Sequence, residues 1–260
     1  MTASAAAVPP LLGAGYPLIR WLQQFSHPAL DAFFIAVTRL GTEEFYWLFL
    51  PALYWLADRR LAARVIALFL VSVFINDALK AAFDLPRPSP DVVRVVYHQS
   101  APGGGFPSGH AQFGVVLWGA LAWEWRRPWF TWLAAVLIVL LCLSRLYLGL
   151  HFPLDVLGGL LVGALTLAAY IALCRRWRAC GLQPTPALMA AALLGVTVIA
   201  VWVAHTTPMT MAAKTLGLLL GVAVGWAMAL RSGLGRVFAT DWMWAPAKLL
   251  IGSGALFLVQ

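Results

Sequence analysis

The sequence predicts an all-α fold, a polytopic bundle of membrane-spanning helices. Three observations carry that expectation. Hydrophobic residues fill 62% of the 260 positions and charged residues only 11%, whereas soluble domains carry nearer a quarter. The mean hydropathy is +0.83, which implies more apolar surface than a soluble core of this size can hide. The apolar residues also fall in runs close to the length a helix needs to cross lipid, and a helix satisfies its backbone polar groups within the segment.

The elements follow in order. The stretch MTASAAAVPP lacks the basic start of a cleavable leader, so the first apolar runs are expected to direct insertion themselves. Residues 17–40 are helical in pattern but interrupted by Arg20, Asp31, Arg39 and His27-Pro28. That fits an interfacial or partly inserted segment spanning residues 1–42. Spans are expected at 43–57, 61–83, 111–125, 129–147 and 153–174, and further ones at about 186–205, 211–230 and 244–260.

Eighteen Lys and Arg against ten Asp and Glu give a net charge of +8. The basic residues sit between apolar runs, which is the pattern of topology signals and not of a nucleic-acid partner. Arg59, Arg60 and Arg64 separate the first two spans, Arg126 and Arg127 the third and fourth, and Arg175, Arg176 and Arg178 follow the fifth. These loops alternate, so they share the cytoplasmic side, and loop 84–110 and turn 145–152 share the opposite face. Cys142, Cys174 and Cys180 have neither metal-ligand nor disulfide spacing. Gly159 with Gly163, and Gly217, Gly221 and Gly225, read as helix-packing stripes within the chain or between two copies.

Ionisable residues near lipid are costly and mark function, and here they gather on the outer face. Lys80 ends the second span and Arg87-Pro88 follows; Pro107-Ser108-Gly109-His110 closes the same loop; Ser144, Arg145, His151 and Asp155 join spans four and five. A lysine and two arginines without a matching carboxylate cluster call for an anion with several oxygens, and phosphate fits. Ser108 and the amides near Gly109, at a helix start, add neutral donors, with Ser108 read as the cap and Gly109 as the turn. If a helix begins at His151, Asp155 four residues on shares its face. The carboxylate then fixes the tautomer and frees the other ring nitrogen to attack. His110, from another span, suits a general acid for the leaving oxygen. The chemistry so derived is metal-free phosphoryl transfer through a phosphohistidine.

At these residues the chain resembles the type 2 phosphatidic acid phosphatase (PAP2) superfamily, whose signature runs K-x6-RP, PSGH, SR-x5-H-x3-D. Lys80…Arg87-Pro88, Pro107–His110 and Ser144-Arg145…His151…Asp155 match it at every position. The resemblance implies a helical bundle whose catalytic core spans 43–178; beyond it the chain departs from the smaller members, and 179–260 is expected to be a hydrophobic extension of two or three membrane segments without any of the signature. It implies His151 as nucleophile, Asp155 as its partner and His110 as acid, with Lys80, Arg87, Ser108, Gly109 and Arg145 on the phosphate. It implies no metal and no cofactor, and a lipid phosphate or diphosphate as substrate, with undecaprenyl diphosphate, phosphatidylglycerol phosphate and phosphatidic acid as candidates. The expected location is a bacterial inner membrane with the site facing out. Loop 89–106 is expected to cover the site, with Arg94, Tyr97, His98 and Gln99 as headgroup contacts and Gly103–Gly105 lending it mobility; His205 and Lys214 are weaker candidates. Phosphotransfer to an acceptor lipid, or phospholipid binding without turnover, are the rival expectations.

Overall fold

A computed structural model describes residues 8–180 apart from Pro102. The spans expected beyond 185, the Gly217–Gly225 stripe, His205 and Lys214 lie outside the described residues. Among the described residues the regular elements are all helical: α1 (Pro10–Gly13), α2 (Tyr16–Gln23), α3 (Pro28–Arg39), α4 (Glu43–Leu56), α5 (Arg59–Phe83), α6 (Gly109–Trp125), α7 (Pro128–Tyr147) and α8 (Pro153–Ala179). Proline opens α1, α3, α7 and α8, where its missing N–H costs nothing and its fixed φ suits the first turn. His27-Pro28 is therefore a helix start as well as a break: His27 Nδ1 accepts the Ala29 N–H at 3.2 Å.

Helices α5 (from Leu61), α7 and α8 are long and apolar enough to cross a membrane. The runs expected as the first and third spans form helices of only 14 and 17 residues, short of the roughly 20 of a full crossing. Local signals stop both. Asp58 caps the next helix, accepting the Leu61 N–H at 2.8 Å. Arg126 adopts a left-handed φ of 52°, and Pro128 begins α7 two residues on. The fifth expected span is longer than its apolar run, because Arg175, Arg176 and Arg178 lie in the last turns of α8 and not in a following loop. Cations at a helix C-terminus are favoured by the helix dipole.

Packing divides the chain into two units. One combines the described residues up to Phe45 with Ile75–Ala168; the other holds Tyr46–Phe74 and resumes at Ala169. In the second, the Tyr46 and Phe69 rings lie 4.4 Å apart. The first carries every signature residue. In it α1 and α2 pack through Leu12 and Ile19 on Val93 of the long loop and Phe152 of the α7–α8 turn. Ala101 buries against Tyr147, Leu148 and Leu150, with Leu30 and Phe34 of α3 alongside. Ala111 of α6, Cys142 and Leu146 of α7 and Val156 of α8 form a third cluster. Cys142 and Cys174 are buried, Cys180 is exposed, and none is in a disulfide.

Helices α6 and α8 approach at the glycine pair read as a packing stripe. A Cβ on Gly159 would run into the Ser108 carbonyl oxygen and stand 3.0 Å from Ala111 Cβ, and one on Gly163 would lie 2.8 Å from the Gln112 carbonyl oxygen. The obstructing atoms are backbone and cannot swing aside. Gly159→Ala is expected to push α6 off α8 and lower stability by about 1–3 kcal/mol, the usual cost of overpacking. A fall in the thermal midpoint of the detergent-solubilised protein measures it.

Candidate active site

The first wall of the site begins where α5 ends. Asp84 takes a left-handed φ of 39°, and Leu85-Pro86-Arg87-Pro88 follows without regular structure, since a residue before proline is held out of the helical region. The loop then folds back, and Gly105 N–H donates to the Leu85 carbonyl at 2.7 Å. The glycine carbonyls thereby meet both cations. Lys80 Nζ donates to Gly104 O at 2.6 Å. Arg87 donates through Nε to Gly103 O at 2.9 Å and through Nη2 to Gly104 O at 3.0 Å. In the Gly103–Gly105 run, expected to lend the loop mobility, the carbonyls of Gly103 and Gly104 anchor Lys80 and Arg87. Glycine is required for space at Gly105, where a Cβ would lie 2.8 Å from Pro86 O and 3.2 Å from Asp155 Oδ2.

Ser108 stands at the N-cap of α6 with extended backbone, but its hydroxyl makes no cap bond, contrary to the expectation that it caps. Its backbone does the anchoring: its N–H donates to Asp155 O at 2.9 Å and its carbonyl accepts from Gln112 N–H at 3.1 Å. The Ser108 hydroxyl is left fully buried with no hydrogen-bond partner. Gly109 is the first helical residue and supplies clearance, not an unusual turn: a Cβ there would stand 3.1 Å from Phe113 Cε2 and 3.3 Å from Asn76 Oδ1. The Asn76 side-chain amide donates to Gln112 Oε1 at 2.9 Å and Pro107 O at 3.3 Å, tying the turn to α5. His110 is buried with its ring against Gly41, and its Nε2 lies 3.2 Å from Thr38 O.

The third wall is the α7–α8 turn. Ser144 Oγ turns back onto its own helix, donating to Leu141 O at 2.6 Å. Arg145 is fully buried. Its Nη1 donates to Thr38 Oγ1 at 2.7 Å and Ser100 Oγ at 2.9 Å, and its Nη2 to Ser100 O at 3.0 Å, while Nε has no partner. Gly149, at φ 69°, makes the turn; a side chain there would strike the Arg94 carbonyl.

His151 and Asp155 meet, but not as two residues on one helix face. Helix α8 starts at Pro153, so His151 precedes the cap residue Phe152 and Asp155 is the third helical residue. Asp155 Oδ2 reaches back to accept the Phe152 N–H at 2.8 Å, half of a capping box, and the same oxygen lies 3.4 Å from His151 Nδ1. On the other side of the ring, Arg87 Nη1 lies 2.9 Å from His151 Nε2 and 2.8 Å from Leu150 O. A guanidinium only donates, so Nε2 presents its lone pair and the ring proton sits on Nδ1, facing Asp155. Burial, and next the positive charge of Arg87, hold His151 well below the usual imidazole range. Arg87 is itself brought down to about 10, chiefly by burial, with Asp155 acting in the opposite sense.

The expected headgroup contacts divide. Arg94 is committed elsewhere: its fork grips both Asp31 oxygens at 2.7 Å, and that bond draws Asp31 down to about 2. Tyr147 OH donates to the same carboxylate at 2.7 Å, and Gln23 brackets the Arg94 backbone, donating to its carbonyl at 2.6 Å and accepting its N–H at 3.0 Å. Arg94 therefore latches the loop to α2 and α3. Tyr97, at a left-handed φ of 59°, lies under the Arg39 guanidinium at 5.7 Å. His98 and Gln99 are exposed in a 3-10 turn, His98–Ser100. Sequence reasoning missed Thr38, Ser100, Asn76, Gln112 and the glycine carbonyls. A signal existed for the side chains, since hydroxyls and amides stand out in apolar runs; none existed for the carbonyls.

Residues 61–180 match the PAP2 superfamily model. The chain is 37% identical to sphingosine-1-phosphate phosphatase 2 of Mus musculus over 50% of this chain and 38% of that protein. It is 37% identical to the putative undecaprenyl-diphosphatase YbjG of Escherichia coli (strain K12) over 41% of this chain and 54% of that protein. The transmembrane PAP2 type phosphatidylglycerolphosphate phosphatase from Bacillus subtilis shares the fold, with a TM-score of 0.56 and 21% identity over 65% of this chain and 89% of that one. The three walls of the site, Lys80 to Asp155, all fall within residues 61–180, the segment that is similar to the PAP2 superfamily. The chain spans between 33% and 65% of the length of the curated relatives it matches.

Proposed function

We propose that this protein is an integral membrane phosphatase that removes phosphate from a lipid phosphate or diphosphate through a phosphohistidine, without metal. The observation that carries the proposal is the polarised ring of His151, with Nδ1 toward Asp155 and the Nε2 lone pair beside Arg87. In the first step Nε2 bonds to phosphorus as the lipid oxygen leaves, and His110 gives that oxygen a proton. In the second, water attacks the phosphohistidine, His110 takes back a proton, and inorganic phosphate departs with the P–N bond broken. Lys80, Arg87 and Arg145 hold the equatorial oxygens, where charge concentrates during transfer. The Ser108 hydroxyl and Arg145 Nε, both buried without partners, supply two more donors. Gly109 keeps the backbone open beside them.

Lipid substrates are supported by the apolar helices around the site and by the relatives' names. Undecaprenyl diphosphate, phosphatidylglycerol phosphate and phosphatidic acid lead, and sphingosine phosphates join them on the strength of the mouse relative. The alternating arginine loops support an outward-facing site in a bacterial inner membrane. The test is phosphate release from a panel of these lipids in liposomes, with and without EDTA. Release that survives EDTA is expected. Loss of activity with EDTA would remove the metal-free mechanism, product that requires an added acceptor lipid would convert the assignment to phosphotransfer, and no turnover of any lipid phosphate would remove it altogether.

A further inference from the structure

The Nε2 atom of His110 has two neighbours that make opposite demands. The Thr38 carbonyl oxygen, at 3.2 Å, can only accept; Arg145 Nη1, at 3.3 Å, can only donate. One ring nitrogen cannot satisfy both. Counting hydrogens decides between them. Arg145 Nη1 carries two, and it has two shorter contacts, to Thr38 Oγ1 at 2.7 Å and Ser100 Oγ at 2.9 Å. Both are spoken for, and the Ser100 hydroxyl is free to accept because its own hydrogen goes to Tyr97 O at 3.1 Å. The approach to His110 is therefore left without a hydrogen, and Nε2–H donates to Thr38 O. That carbonyl lies in the last turn of α3, among the helix-end carbonyls that look for donors outside their own helix.

We propose that Thr38, assisted by Ser100, is a positioning residue for proton transfer: the two hydroxyls take up both hydrogens of Arg145 Nη1, and the Thr38 carbonyl holds the His110 ring as a proton carrier. Thr38 is fully buried and comes from α3, outside the signature and outside the segment matched by the family model. One residue thus couples the phosphate-holding arginine to the acid. With Nε2–H held by the carbonyl, Nδ1 keeps the lone pair that takes up a proton and then gives it to the leaving oxygen; without the hydroxyls, Nη1 donates to Nε2, consumes its lone pair and moves the ring proton to Nδ1, which can then take up no other. The inference rests on the proposed role of His110, but the proton's position is observable without turnover.

Two measurements test it. Histidine-¹⁵N-labelled protein in bilayers, with His110 assigned by difference from His110→Asn, is expected to show Nε2–H in the parent chain and Nδ1–H in Thr38→Val/Ser100→Ala. An unchanged tautomer overturns the inference whatever the enzyme does. Hydrolysis is then compared for an alkyl lipid phosphate and p-nitrophenyl phosphate, whose leaving group needs no acid. Thr38→Val is expected to cut kcat at least about tenfold on the alkyl ester, with little change on the nitrophenyl ester, because general acid catalysis contributes roughly 10²–10⁴-fold only where the leaving group needs it. Thr38→Ser is expected to restore the alkyl rate. Equal losses on both esters would mean that Thr38 serves phosphate binding or folding alone. Should neither ester be hydrolysed by the parent chain, the phosphatase assignment fails while the tautomer result stands.

Discussion

His151→Ala is expected to lower phosphate release by at least about 10³-fold, in line with removal of a nucleophile that works as part of a unit, while leaving the helices assembled. The imidazole is fully buried, but the turn is held by Phe152 N–H on Asp155 and by Leu150 N–H on Arg145 O at 3.0 Å, neither of which needs it. In stability the change is expected to be favourable at low pH. The unfolded imidazole titrates near 6.5 and the folded one well below it, so between those values the unfolded chain binds the extra proton. Stability therefore falls as pH drops through 6.5, and removing His151 removes that share of the loss. Asp31 acts separately and later: its Arg94 bond stabilises the fold above pH 3.8 and is lost as pH falls toward about 2. Acid unfolding of parent and variant, followed by circular dichroism, checks the sign, and rapid-quench trapping of labelled phosphoenzyme checks the role. Labelling of His151→Ala would place the nucleophile elsewhere.

The membrane class, the three walls and the identity of each signature residue were legible in the sequence because they rest on composition, spacing and residue type. Where expectation and structure part, backbone is usually the cause. The pairing of His151 with Asp155 was inferred from a four-residue helical spacing, yet it is made by a capping carboxylate folded back over Pro153. Ser108 carries the residue type of a side-chain cap, but its backbone is what binds, to Asp155 O. The glycine run offers no side chain to read, and its carbonyls turn out to be the partners of Lys80 and Arg87. Arg94 reads as an unpaired cation in the sequence, and only tertiary folding brings Asp31, 63 residues earlier, beside it. The hydroxyl of Thr38 stands out in its apolar run, but its role was not legible for the same reason: that role lies in two partners, His110 and Arg145, that are 72 and 107 residues away.

Asp155 offers the sharper dissection, because both of its hydrogen bonds fall on one oxygen. Oδ2 takes the Phe152 N–H and faces His151 Nδ1, while Oδ1 is buried without a partner. In Asp155→Asn the amide oxygen can occupy the Oδ2 position and keep both contacts, so the cap and the tautomer survive and only the negative charge is lost. That charge matters as Nε2 bonds to phosphorus, when the ring becomes cationic beside Arg87, and a neutral amide stabilises it far less. Asp155→Ala removes charge, cap and tautomer control together. The expected order is a loss of roughly 10²-fold in kcat for Asp155→Asn and of roughly 10⁴-fold for Asp155→Ala, the latter being the scale seen when the aspartate of a catalytic triad is knocked out. Thermal midpoints should separate the causes: Asp155→Asn stays near the parent, and Asp155→Ala falls by the roughly 1 kcal/mol of a lost cap. Equal kcat values for the two variants would show that the carboxylate acts through its charge alone. An Asp155→Asn enzyme as active as the parent would show that it acts only by holding the ring.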